Sequence, residues 1–129
     1  MTAHRFTLPS DAATPREARS RLRSILERHV VDPTAIATLE LLASEVVTNV
    51  VIHTDCPDFD VELDVGPDAV RVCVTDCDVD HLPVLLPRDD ERFWGRGIQI
   101  VDATARRWGY EVDGSHKTVW FEVVSHAVV

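Results

Sequence analysis

The chain has 129 residues, of which 45% are hydrophobic and 27% charged, with a net charge of −9 and a pI near 5.0. This is the composition of one globular domain spanning 1–129 with a full core, and it excludes a disordered tail. Nucleic-acid affinity rests mostly on basic patches, so nucleic-acid binding is not expected as the main role of so acidic a chain, although Arg16 to Arg28 could form a local patch, and no run of about 18 apolar residues reads as a membrane span.

The opening stretch MTAHRFTLPSDAA has no apolar core of the signal-peptide kind, so a cytoplasmic protein is expected. RFTLP, residues 5–9, reads as a short strand stopped by Pro9. Asp11 to Val30 reads as a helix. Thr14 is its expected N-cap, with Pro15 at the first helical position and Glu17 completing a capping box. Leu22, Ile25, Leu26 and Val30 give it an apolar stripe, and five arginines between Arg16 and Arg28 read as a solvated face. Asp32-Pro33 breaks the chain before a second helix, Pro33 to His53. Its apolar residues Ile36, Leu39, Ala43, Val46 and Val50 recur in threes and fours, widened by Leu42 and Val47, which makes it the central helix.

Phe59, Val61, Leu63 and Val65 alternate, as do Val70, Val72 and Val74, around a Gly66-Pro67-Asp68 turn. This reads as a hairpin with one buried face. Asp76 to Trp94 is irregular, contains Pro83 and Pro87, and reads as a lid-like loop. Gly95-Arg96-Gly97 opens a third helix, whose apolar positions run through Ile98, Ile100, Val101, Ala105 and Trp108 and which Gly109 ends. Lys117 to Val124 reads as the last strand. The expected fold is α+β, a two-layer sandwich with about three helices on one face of a mixed, largely antiparallel sheet. Three cysteines, an odd number without a secretion signal, argue against a disulfide framework, and Cys73 and Cys77 lack the second pair of a zinc site.

Four places carry chemistry. In SEVVTNVVIH, Glu45, Asn49 and His53 lie four residues apart on one helix stripe. Asparagine is a poor helix-interior residue, and an acid and an amide in a buried helix need partners or a solvated cleft. Such a pair suits Mg²⁺, or it hydrogen-bonds to a loop. Gly95-Arg96-Gly97 lets the backbone come close to an anion at a helix start, or is a simple turn. Asp76, at the end of VRVCVTD, can accept from an exocyclic amine or cap a turn. Thr118 lies in a strand where β-propensity alone accounts for it.

Taken in order, ELLASEVVTNVVIHT, the strand ending at Asp76, GRGIQIVDATARRWG and KTVWFEV resemble the GHKL, or Bergerat-fold, ATPase superfamily over roughly Arg5 to Val124. The closest likeness is to short anti-sigma-factor serine kinases. The resemblance implies ATP and Mg²⁺ as cofactors, a sigma factor and a STAS-domain anti-anti-sigma protein as partners, and a homodimer. It implies that Glu45 is the general base, that Asn49 is the metal ligand, and that Asp76 reads the adenine amine. Gly95, Arg96, Gly97 and Ile98 would line the nucleotide, with Thr118 beside the adenine. His53 stands where relatives carry histidine, with a helix-end role or a catalytic one. The first glycine box, D-x-G-x-G in the family, is here Asp76-Cys77-Asp78-Val79-Asp80. Carboxylates replace both glycines and would repel phosphates unless they point away. The lid adds Asp89, Asp90 and Glu91 against Arg88, Arg92 and Arg96, with Trp94 packing the lid or presenting a partner surface. The alternative function is a non-enzymatic protein-binding module of the same fold.

Overall fold

The structure, a computed structural model, describes residues 2–29, 31–83 and 97–125. The elements run β1 (Thr2–Pro9), α1 (Thr14–Arg28), α2 (Pro33–His53), β2 (Asp58–Val65), β3 (Ala69–Asp76), α3 (Gly97–Thr104), β4 (Arg107–Asp113) and β5 (His116–Val124). One five-stranded sheet has the order β1-β2-β3-β5-β4. Every pairing is antiparallel, so the expected mixed sheet is an antiparallel one.

One face of the sheet is apolar because alternate residues share a side. Phe59, Val61, Leu63, Val70, Val72, Val74, Val119, Phe121 and Val123 are buried there. The α2 helix lies over β3 and β5, with α1 and α3 packed along it. Its stripe of Ile36, Leu39, Leu42, Ala43, Val46, Val47 and Val50 is buried. By length and composition this 21-residue helix is apolar enough to cross a membrane, with a mean hydropathy of 1.7 over its richest window. Here that apolarity is matched to the sheet beneath it, each large side chain gaining about 1.5–3 kcal/mol from burial.

The helix starts differ from the sequence expectation in one case. The α2 helix starts as Asp32-Pro33 suggests, with the Asp32 carboxylate accepting the Ala35 N–H at 3.0 Å. The α1 helix begins at Thr14 rather than Asp11, and Thr14 is not its cap. The Thr14 side chain is fully buried, and its hydroxyl donates to the Pro9 carbonyl, tying the helix start to the end of β1. Asp11 instead accepts the Ala13 N–H at 2.8 Å.

The largest correction concerns residues 105–113. The third helix ends at Thr104, and Trp108 and Gly109 belong to β4, an edge strand the helical reading absorbed. Trp108 faces Phe121 and Gly109 faces Trp120 across the β4–β5 pairing. The strand forms because Gly114, at φ 60°, turns the chain back on itself with Asp113 opposite His116. A Cβ on Gly109 would lie 3.0 Å from the Trp120 ring, so glycine here admits the indole rather than ending a helix.

Candidate functional site

The polar stripe of α2 is where the sequence places it. Glu45, Asn49 and His53 are half-buried, at the margin of a helix whose Val46, Val47 and Val50 are buried. Each step of four residues advances about 6 Å along the axis, so the three groups span about 12 Å of one face. No described side chain hydrogen-bonds to Glu45 or Asn49, whereas the neighbouring Ser44 hydroxyl accepts from Arg19 at 2.7 Å. His53, one turn below Asn49, is held below its ordinary pKa by burial and by the nearby His81. The foot of α2 and the segment after β3 therefore face each other.

Asp76 sits at that corner. It is on the helix-facing side of β3, in line with Val70, Val72 and Val74, and only 2% exposed. Opposite it in the register is Lys117. The Lys117 ammonium lies 3.4 Å from the Asp76 carboxylate, with side chains 6% and 1% exposed. The same ammonium donates to the carbonyl of His81, so one buried cation ties the strand end to the segment that follows it. Burial pushes the Asp76 pKa up, and the Asp78 N–H and Lys117 only partly offset this. The carboxylate accepts the Asp78 N–H at 2.8 Å on one oxygen and meets Lys117 on the other. A carboxylate can accept about four hydrogen bonds, which leaves capacity for an amine donor.

The carboxylates in the altered glycine box resolve differently from a bare repulsion. Asp78 accepts the N–H of Asp80 at 2.9 Å and of His81 at 3.1 Å, and pairs with His81 Nδ1 at 2.6 Å. Burial pushes its pKa up, yet His81 and the two N–H groups outweigh that and leave it below the ordinary carboxylate value. Its charge is thus taken up by its own turn. Asp80 is exposed.

Cys56 and Cys77 form a disulfide, where the odd cysteine count argued against a disulfide framework. Cys56 lies two residues before β2 and Cys77 directly after β3, and the antiparallel β2–β3 pairing, with Asp60 opposite Thr75 at that end, brings them within a Cα–Cα distance of 5.8 Å. An odd cysteine count permits one pair and leaves Cys73 free. Cys73 lies on the other face of the sheet, and burial pushes its pKa up to about 11.

The remaining predicted residues divide. Gly97 is the first residue of α3, and Ile98 is buried. Gly95, Arg96, Trp94 and most of the lid lie outside the described residues. Thr118 is not brought to the corner. Its hydroxyl bonds to that of Thr75 at 2.8 Å on the face away from the helices, and Lys117 takes the helix-facing position beside Asp76. Lys117 is the site residue that sequence reading passed over. The signal was available, because β5 alternates and a lysine in phase with Val119, Phe121 and Val123 must be buried. Among the described residues no group of three or more His, Cys, Asp or Glu could hold a metal. A divalent ion at Asn49 would complete its shell from phosphate and water, as Mg²⁺ commonly does. The unclaimed Glu45 and Asn49 fit that arrangement.

The profile of the family described as histidine kinase-like ATPase domain matches residues 8–123. Among solved structures, the crystal structure of the RsbU and RsbW domains of Rv1364c from Mycobacterium tuberculosis is similar, with a TM-score of 0.72 and 20% identity. That match covers 100% of this chain and 35% of the other, so this chain spans about a third of its length. No curated protein matches the sequence.

Proposed function

This chain belongs to the histidine kinase-like ATPase family of the GHKL superfamily, and from that premise we propose that it is an ATP-binding regulatory domain that phosphorylates a serine of a partner protein. The partners are a sigma factor, which it holds, and a STAS-type antagonist, which it modifies. It acts in the cytoplasm as a homodimer. The observation that carries this reading is the pair Glu45 and Asn49. Both are half-buried on one face of an otherwise apolar core helix, and no described side chain bonds to either.

ATP and Mg²⁺, when bound, supply the phosphoryl group and the neutralisation of its charge. Phosphoryl transfer asks the protein mainly for positioning and electrostatics. Glu45 would take the proton of the substrate hydroxyl, Asn49 would hold the metal through its amide oxygen, and Asp76 would accept from the adenine amine with its remaining capacity. Gly95, Arg96, Gly97 and Ile98 would border the phosphates at the start of α3.

A second reading, a binding module without phosphoryl transfer, is favoured by the Asp76–Lys117 pair and by Asp78 and Asp80 in the glycine positions. Calorimetric titration with ATP and ADP, with and without Mg²⁺, separates the two. Micromolar, Mg²⁺-dependent binding, lost in Asn49→Ala, is expected; silence up to millimolar nucleotide favours the binding module. Glu45→Ala should abolish phosphorylation of a STAS-type substrate while partner binding persists. Residual phosphorylation at the wild-type rate would remove Glu45 from the reaction.

A further inference from the structure

We propose that Cys56 and Cys77 are a reversible redox clamp, and that the oxidised state holds the Asp76 corner in its nucleotide-binding geometry. This rests on the site assigned above, but the clamp itself has a separate readout. The two sulfurs join the segment leading into β2 to the residue that follows β3, beside the buried Asp76–Lys117 pair. Cys56 is three residues past His53, and Cys77 is the residue after Asp76. Between Cys77 and His81 runs the turn that Asp78 organises and that Lys117 holds through the His81 carbonyl. Opening the bond frees one end of that turn from Cys56 and leaves it tied by the Asp76 carboxylate, by Lys117 and by backbone.

The pair is also built for exchange. Cys77 is exposed, whereas Cys56 is only 3% exposed. An incoming thiolate therefore attacks the Cys77 sulfur, the S–S bond breaks, and Cys56 leaves as a thiolate. The Cys77 N–H points at the Cys56 sulfur at 3.1 Å, a donor that favours that leaving thiolate. A second small-molecule thiol then displaces Cys77 from the mixed disulfide. The sum is protein disulfide plus two thiols giving protein dithiol plus one small-molecule disulfide. Oxidation is the reverse, with a glutathione-type disulfide as the electron acceptor. Cys73 stands on the opposite face with a thiol that stays protonated at neutral pH, so it does not compete as a nucleophile. In a reducing compartment, disulfides of this kind are transient and redox-sensing rather than structural.

The test is equilibration of the folded protein in buffers of varied ratio of glutathione to glutathione disulfide, followed by trapping of thiols and titration with ATP and Mg²⁺. We expect a reversible two-electron transition in the native protein, retained in Cys73→Ser. We expect affinity at least about fivefold weaker in the reduced form, because an unclamped corner must be ordered on binding, with Cys56→Ser and Cys77→Ser matching the reduced wild type. Equal affinity in both states would overturn the proposal, as would a bond that reduces only under denaturing conditions. Amide exchange over residues 77–81 reads the clamp without nucleotide, with faster exchange expected after reduction. If ATP binds in neither state, the nucleotide reading falls, and unchanged amide exchange would then remove the clamp as well.

Discussion

The ammonium of Lys117 lies 3.4 Å from the carboxylate of Asp76, and both side chains are all but excluded from water. Each charge is costly to bury and tolerable only with the other. The pair fixes the end of β3 against β5 and, through the His81 carbonyl, the segment beyond it. It also sets how Asp76 meets a ligand, since one oxygen already faces a cation.

Removing that cation should be expensive. Lys117→Met keeps the volume but leaves Asp76 buried and unpaired, with an expected loss of about 3 kcal/mol at neutral pH. Asp76 already has a raised pKa, so its ionised form opposes folding, and stability falls as pH rises from 3.8 through the raised folded value. The variant lacks the partly offsetting ammonium and should suffer more from the same ionisation. Its deficit should therefore narrow as pH falls toward 3.8. Denaturant unfolding of both proteins from pH 4 to pH 8, taken as a rough working range, decides this, and a deficit constant across it would sink the argument.

Glu122 behaves with the opposite sign. Burial pushes its pKa up, but Arg107 and Arg71 outweigh that and the net shift is downward. Arg107 reaches it with two bonds of 2.9 Å, Arg71 with one of 3.1 Å, and Arg106 stands at 3.4 Å. The cluster joins β3, β5 and the start of β4 at the end of the sheet away from Asp76, beside the Gly66–Asp68 turn. A depressed carboxylate contributes stability above its unfolded pKa of 4.5 and loses it as pH falls through the lower folded value. Glu122→Gln should cost about 2 kcal/mol at pH 7, discounted for three arginines that remain partly solvated. The difference from wild type should shrink progressively below pH 4.5.

Two glycines should fail for different reasons. Gly109→Ala places a methyl 3.0–3.2 Å from the Trp120 indole, which cannot retreat freely because the Arg71 guanidinium stacks on it at 4.1 Å. A loss of about 1–2 kcal/mol is expected, and it should largely disappear in a Trp120→Leu background. Gly114→Ala meets no atom within 4 Å, but it holds φ at +60° and should cost about 1 kcal/mol whatever stands at position 120. A double-mutant cycle distinguishes the two.

Asp32→Ala should cost about 1 kcal/mol by removing the cap of α2. The Ser125 hydroxyl, 3.2 Å from the other Asp32 oxygen, ties the residue that follows β5 to the same cap. Asp32→Asn retains an acceptor for the Ala35 N–H and should recover most of the loss. Equal losses in thermal unfolding would show that charge rather than capping is at stake.

The local patterns of this chain determined a good deal. Threes and fours in Pro33–His53 made a core helix, strict alternation in 59–65 and 70–74 made a hairpin, and Glu45, Asn49 and His53 fell on one face because four residues nearly close a turn. Those features depend on neighbours close in sequence. What the tertiary structure decided depends on distant partners. Trp108, Tyr110 and Val112 also alternate, but only pairing with β5 settles a strand over a helix for so short a stretch, and the turn at Asp113-Gly114 that permits the pairing was the clue passed over. A sheet register one residue different would have put Thr118 rather than Lys117 beside Asp76. Cys56 and Cys77, 21 residues apart, meet because the antiparallel pairing of β2 with β3 sets the start of one strand beside the end of the other. Periodicity states which residues share a face; packing alone states which face looks at which, because that is fixed by the burial of the whole chain at once.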